Sequence, residues 1–197
     1  MTKIEFTDSV KIADKIITAI EVSPLYFVEL NRIWAAVSSA NKPQAALTRA
    51  RILKQVVFRS SDGPATPTDA DISALPVAVA RDIIAALDDG QGEAGEILAA
   101  GDGVSEPILY KLGTPIRMQD AEGKSRDIIE LEFLAKTYGD VEDVLAATDE
   151  VSRAVALLST VATPVGDTSL SVLPGWALDK ITTADGVAIM QLVLPNF

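Results

Sequence analysis

Ile108-Leu109-Tyr110-Lys111-Leu112 and Pro115-Ile116-Arg117-Met118 precede a polar run from Gln119 to Ser125, after which comes Ile129-Glu130-Leu131-Glu132-Phe133. In the last stretch Ile129, Leu131 and Phe133 alternate with Glu130, Glu132 and Leu134, the period-2 signature of a half-buried strand. The segment reads as a β-hairpin. Downstream the apolar residues change to helical spacing, with Val151, Ala154, Val155 and Leu158 on one face. A last helix opens near Thr182, where Asp185 stands at capping-box distance, and Val187, Met190, Leu194 and Phe197 follow at i, i+3, i+7 and i+10. Pro195 weakens its final turn.

The N-terminal half offers a weaker version of the same order. Lys3–Phe6 and Ile16–Val22 are its strands, Leu47, Ala50, Leu53 and Val57 recur along one helix, and Pro76 opens another with Val79, Ile83, Ile84 and Leu87. An echo links the halves. Thr66-Pro67 leads to Ile72-Ser73-Ala74-Leu75-Pro76 and Ile83, and Thr163-Pro164 leads to Leu170-Ser171-Val172-Leu173-Pro174 and Ile181. Upstream, Ile16-Ile17, Tyr26 and Ala35-Ala36 correspond to Ile128-Ile129, Tyr138 and Ala146-Ala147. The offset drifts, so duplication and chance similarity in an Ala/Leu/Val-rich chain stand as alternatives. Between the halves, the glycine-rich and acidic run from Asp88 to Gly103 discourages regular structure. The predicted fold is α+β and mostly helical, built as two similar halves that are each a small β-hairpin followed by a helical bundle. The first unit is residues 1–90, a Gly/acidic linker is 91–105, and the second unit is 106–197.

The 197 residues include no His and no Cys, which excludes imidazole bases, thiolate nucleophiles, disulfides and Cys-based metal sites. With 28 acidic against 17 basic side chains the net charge is -11, a field that repels nucleic-acid phosphates and anionic lipid surfaces. The charge is uneven, since residues 1–61 carry nine basic and five acidic side chains whereas 62–106 carry one and ten. A mean hydropathy of +0.26 leaves apolar surface to be buried in a core, an oligomer interface or a partner groove. The longest charge-free runs fall short of the ~20 apolar residues of a membrane span. The start, Met1-Thr2-Lys3-Ile4-Glu5-Phe6, lacks the basic and apolar regions of a signal peptide, so a cytoplasmic location is expected.

Gly90-Gln91-Gly92-Glu93-Ala94-Gly95 satisfies G-x-G-x-x-G, but it follows a helical stretch and carries acidic neighbours that would repel a pyrophosphate. Asp69-Ala70-Asp71 begins like a calcium loop, yet Ala74 replaces the needed glycine and Ala80 the bidentate Glu, so these acids read as helix N-caps. Paired carboxylates such as Glu130/Glu132 and Glu142/Asp143 are not brought to one cleft by the sequence. The basic run Lys42, Arg49, Arg51, Lys54 and Arg59 reads as a solvated face paired with acidic residues. No catalytic residue, cofactor or metal site is expected.

Tyr110-Lys111-Leu112-Gly113-Thr114-Pro115-Ile116, the strand Ile129–Phe133, Tyr138-Gly139-Asp140 at the start of the helices, the Ala154–Val161 helix, Leu170–Leu173 and the closing Asp185-Gly186 helix ending in Asn196-Phe197 form an ordered set. From about Leu109 to Phe197 this order resembles the small E-type tail assembly chaperones of long-tailed bacteriophages. The resemblance implies a non-catalytic protein of the bacterial host cytoplasm that coats the tape measure protein and recruits tail tube subunits. Residues 1–105 would then be a fused or duplicated unit, or an unrelated partner-binding module. A homo-oligomer is compatible with it, and nucleic acid and membrane are not expected as partners. A client helix docking by its apolar stripe makes Val187, Met190, Leu194 and Phe197 the candidate partner-binding residues. The alternative is a structural tail or baseplate component retained in the virion.

Overall fold

The computed structural model describes residues 2–12, 14–119, 125–166 and 170–197. The chain forms two compact units, Met1–Leu25 with Arg32–Gln91, and Tyr26–Asn31 with Gly92–Phe197. The fold is α+β, with two four-stranded antiparallel sheets and eight α-helices among the described residues. No described helix is long and apolar enough to cross a membrane.

In the first unit, strands β1 (Thr2–Ile12) and β2 (Lys15–Val22) form a hairpin, and β3 (Val56–Ser60) and β4 (Gly63–Ala65) extend it in the order β1-β2-β3-β4. Lys3, Ile4 and Glu5 pair with Glu21, Ile20 and Ala19; the register then shifts, and pairing resumes at Val10 with Ile17. The buried side chains of β2 change phase one residue from that shift, with Ile17 and Ala19 inside on one alternation and Ile20 and Val22 on the next. Because the pleat alternates faces, the irregularity lets Val10, Ile12 and Ile17 share one core with Ile20 and Val22. The core gathers Ile20, Phe58, Ile52, Ile72, Ile83 and Leu87.

Helix α2 (Pro43–Gln55) corrects the expected stripe. Ile52 and Gln55 are its buried residues, Leu53 is 40% exposed, and Val57 lies beyond it in β3. The β-branched pair Val56-Val57 leaves the helix to bond β2, which shifts the inward face. Gln55 brings an amide into the core whose Nε2 finds no acceptor among the described residues. Gln55→Leu should therefore stabilise the protein by about 1 kcal/mol in urea unfolding, because it removes a desolvated donor at similar volume. Helix α3 (Asp69–Ser73) is capped by Thr68, and Asp71 closes the capping box with Oδ2 accepting from Thr68 N at 2.8 Å. Helix α4 (Val77–Asp89) follows, with Pro76 as its N-cap.

In the second unit β5 (Glu96–Ala99), β6 (Ile108–Gln119), β7 (Ser125–Phe133) and β8 (Ala162–Pro164) run in the order β5-β6-β7-β8. Leu109, Tyr110 and Lys111 pair with Glu132, Leu131 and Glu130; the register shifts, and Ile116 resumes with Ile128. The shift overturns the simple alternation, since Ile128 is buried and Ile129 is 45% exposed, while Leu131 and Phe133 are inside as expected. The polar turn of this hairpin falls largely outside the described residues. Helices α5 (Tyr138–Ala146), α6 (Glu150–Thr160), α7 (Gly175–Leu178) and α8 (Thr183–Leu192) and a 3-10 turn (Leu194–Asn196) complete the unit. Its core includes Tyr110, Leu131, Phe133, Leu157, Leu158 and Ile189.

Two expectations about boundaries change. The segment 91–105, expected as a linker, contributes β5, whose Ile97 pairs with Tyr110 and packs on the second core. Its glycines permit close approach of backbone: a Cβ on Gly95 would lie 1.8 Å from the Lys111 carbonyl oxygen. Tyr26–Asn31, the first turn of α1 (Phe27–Val37), also belongs to the second unit. There Phe27 N donates to Ile181 O at 2.9 Å, and the Phe27 ring is fully buried.

Candidate functional site

A largely apolar cleft of about 320 Å³ in the second unit is bounded by Val104, the 135–138 segment, Val141 of α5, and Asn196-Phe197. One wall is the loop 101–106. Asp102 Oδ1 accepts the amides of Val104, Ser105 and Glu106 at 2.9, 2.7 and 3.0 Å, and Gly103 O accepts from Ala135 N at 2.8 Å. Gly103 takes φ +74° and lies under the Phe197 ring, where a Cβ would come within 2.4 Å. The loop thus holds Val104 outward, 62% exposed, at the cleft's rim.

Those backbone donors, from Glu106 first, hold the Asp102 carboxyl at about 2 instead of its ordinary 3.8. A depressed folded-state value means the bonds stabilise the loop fully above the unfolded-state value and are lost as pH falls through about 2. The amide resonances of Val104, Ser105 and Glu106 should accordingly titrate together near pH 2 in an NMR titration. Titration near pH 4 instead would show that the carboxylate does not hold them.

The opposite wall is the start of α5. Asp140 Oδ2 accepts from the Lys136 and Thr137 amides, each at 2.8 Å, and these bonds, Thr137's first, pull its carboxyl below the ordinary range. The box fixes the first turn with Tyr138 pointing outward, 69% exposed. Lys136 adds a cation at the edge of an otherwise apolar surface.

Of the expected partner-binding stripe, Leu194 is buried, and Val187 and Met190 pack half-buried on the core. Phe197 also packs there, but its ring borders the cleft. Helix α8 is apolar on nearly all sides, and such a helix is enclosed by its own fold. Sequence reasoning passed over Val104 and Tyr138 as cleft residues, although the Tyr138-Gly139-Asp140 motif and a lone valine in an acidic loop were both visible.

No family model, characterised protein or solved structure matches the chain. What the cleft offers is set by its own atoms: aromatic and aliphatic surface, the Lys136 ammonium, and the Thr137 and Asn196 side chains.

A second polar feature sits inside the same unit. Asp185 is fully buried; its Oδ1 accepts from Gly95 N and Gly113 N at 2.9 Å and from the Tyr110 hydroxyl at 3.0 Å, and its Oδ2 accepts from Thr182 Oγ1 at 2.9 Å. Burial and the Asp185 carboxylate push the Tyr110 phenol up. With the Gly95 and Gly113 amides and the Tyr110 and Thr182 hydroxyls all bonded to the carboxylate, the cluster ties β5 and β6 to the start of α8. Among the described residues no group of three or more Asp or Glu is arranged to hold a metal ion.

The basic run of the first unit is partly engaged. Arg51 donates to Asp88 and to the Leu87 carbonyl at the end of α4, and Arg59 Nη2 lies 2.6 Å from Glu21 Oε2. That bond, the largest influence, lowers the Glu21 carboxyl and raises the Arg59 guanidinium. Gly90 ends α4, so the 90–95 glycine motif closes a helix where a dinucleotide site would open one.

Proposed function

We propose that the chain is a non-catalytic tail assembly chaperone of a bacteriophage or prophage. It acts in the host cytoplasm, where it holds an apolar helical segment of the tape measure protein in the Val104–Tyr138–Phe197 cleft and helps recruit tail tube subunits. The observation that carries the reading is convergence. Tyr138, of the Tyr138-Gly139-Asp140 motif, and Asn196-Phe197, which belong to two of the motifs behind the family resemblance, are far apart in sequence and border one cleft. An apolar client stripe would cover Val104, Tyr138 and Phe197, and an acidic residue beside it would meet Lys136. The net charge of -11 keeps a protein with such surface in solution.

We also infer that the two halves are copies of one plan, each a hairpin followed by helices. The support is register. Pairing runs from Glu5–Ala19 to Val10–Ile17 in one hairpin and from Lys111–Glu130 to Ile116–Ile128 in the other, five residues against two in each. The third strand then joins alike, with Phe58 opposite Ile20 and Pro164 opposite Leu131. An identical irregularity at the same step is a specific feature of a fold, since bulges re-aim strands in defined ways.

Co-expression with the long open reading frame downstream of the gene tests the chaperone reading. The wild-type chain should keep that protein soluble and co-purify with it, and Tyr138→Asp should reduce recovery about tenfold by placing a charge in the contact. A client equally soluble without the chain, or a protein found instead in purified particles, would favour a structural tail component.

A further inference from the structure

The two sheets differ at one edge. In the second unit β5 covers the outer side of β6, with Glu96 opposite Lys111 and Ile97 opposite Tyr110, and Lys111 Nζ stands 3.2 Å from Glu96 Oε1. Under that cover Tyr110 and Leu112 are buried. In the first unit β1 is the edge strand, and no described strand pairs with its outer side. Ile4 and Phe6 pack on the first core from β1 but stay half-buried. Lys3 and Glu5 project on the other face, exposed, with Nζ and Oε1 2.9 Å apart. A row of open backbone donors and acceptors beside half-covered apolar residues is a template for another strand.

The occupant follows from the residues on that edge. When two copies of Lys3-Ile4-Glu5 run antiparallel about Ile4, each Lys3 faces Glu5 of the other copy and the two Ile4 meet on the axis. A register centred on Thr7, which would use the whole of β1, instead sets Lys3 against Lys11, and like charges directly opposite are unfavourable. We propose that two copies of this chain pair through their β1 edges around Ile4, forming a two-fold dimer with one continuous eight-stranded antiparallel sheet. The cross-strand charge pairs repeat the Lys111–Glu96 arrangement, and the second copy supplies the cover that β5 gives β6. The seam is short and each copy carries a charge of -11, so the dimer is a dynamic one with a dissociation constant on the order of 10 µM.

Sedimentation equilibrium of the full chain at about 0.15 M salt, where charges beyond ~8 Å are screened, tests this. The wild type should show a monomer–dimer equilibrium, and Lys3→Glu or Glu5→Lys alone should weaken it at least about tenfold, because each lines the seam with like charges. The double variant Lys3→Glu/Glu5→Lys restores both cross-strand pairs and should return to within about threefold of the wild type. Circular dichroism identifies any variant that fails to fold, and the double variant keeps the test decisive. A wild type monomeric up to about 200 µM, a dimer indifferent to both single changes, or a double variant no better than the singles would overturn the proposal.

Discussion

Asp185→Ala should make the Gly95 and Gly113 amides exchange with solvent at least about a hundred times faster than in the wild-type chain. The carboxylate is fully buried and accepts from both amides, from the Tyr110 hydroxyl and from Thr182. Removing it takes the acceptor from the Gly113 amide and from the Tyr110 and Thr182 hydroxyls, while Gly95 N keeps only the Tyr110 oxygen at 2.9 Å; the loss is about 3–5 kcal/mol, and each 1.4 kcal/mol is a factor of ten. Asp185→Asn retains an oxygen for the two amides and the phenol, so its cost should be about 1–2 kcal/mol. Equal protection in the wild type and the Ala variant would show that the cluster does not tie β5 and β6 to α8.

Gly186→Ala supplies the second large effect, and its sign is opposite to helix propensity. In an exposed helix the change gains about 1 kcal/mol. Here a Cβ on Gly186 would lie 2.0 Å from the buried Phe27 ring, so the ring or the helix must shift, at a cost of about 2–3 kcal/mol. Phe27→Ala should cost about 3–5 kcal/mol through the cavity it leaves. The double variant should be more stable than the sum of the singles predicts, because the alanine at 186 then enters vacated space. Urea unfolding followed by far-UV circular dichroism reads all three. Strict additivity would mean that Gly186 and Phe27 are not in contact.

Both predictions concern residues whose importance the sequence only half discloses. Thr182-x-x-Asp185 is legible as a capping box, and the Asp185 amide does lie 3.1 Å from Thr182 Oγ1. What periodicity does not carry is that the same carboxylate turns inward to two glycines some 70 and 90 residues earlier, because that contact depends on a strand pairing that follows no local rule. The glycine-rich segment shows the same limit. Its composition argues for a linker, yet Gly95 and Gly113 are small so that β5 and β6 can approach: a Cβ on Gly113 would meet the Glu93 carbonyl at 2.1 Å.

The hairpins were readable from alternation, but the phase of burial was not. Ile129 looks equivalent to Leu131 and Phe133, and a register shift opposite it turns Ile128 inward instead. The apolar stripe expected along one last helix is split, because α8 ends at Leu192 and Leu194 lies in the 3-10 turn: Leu194 is buried, Val187 and Met190 pack on the core, and Phe197 alone of the four borders the cleft. The inferred repeat shows a similar mixture. The Pro76 and Pro174 echo sets a thirteen-residue helix beside one of four residues, whereas the hairpin registers match step for step.

The most direct test of the cleft as the client site uses the absence of cysteine from the chain. A single Val104→Cys carries a photo-crosslinker to the cleft rim, and Ser61→Cys, exposed in the first unit, serves as the control. On co-expression with the tape measure protein and illumination, the label at position 104 should capture an apolar helical segment of that protein, and the label at 61 should not. Capture from position 61 alone, or from neither position while the two proteins still co-purify, would contradict the account.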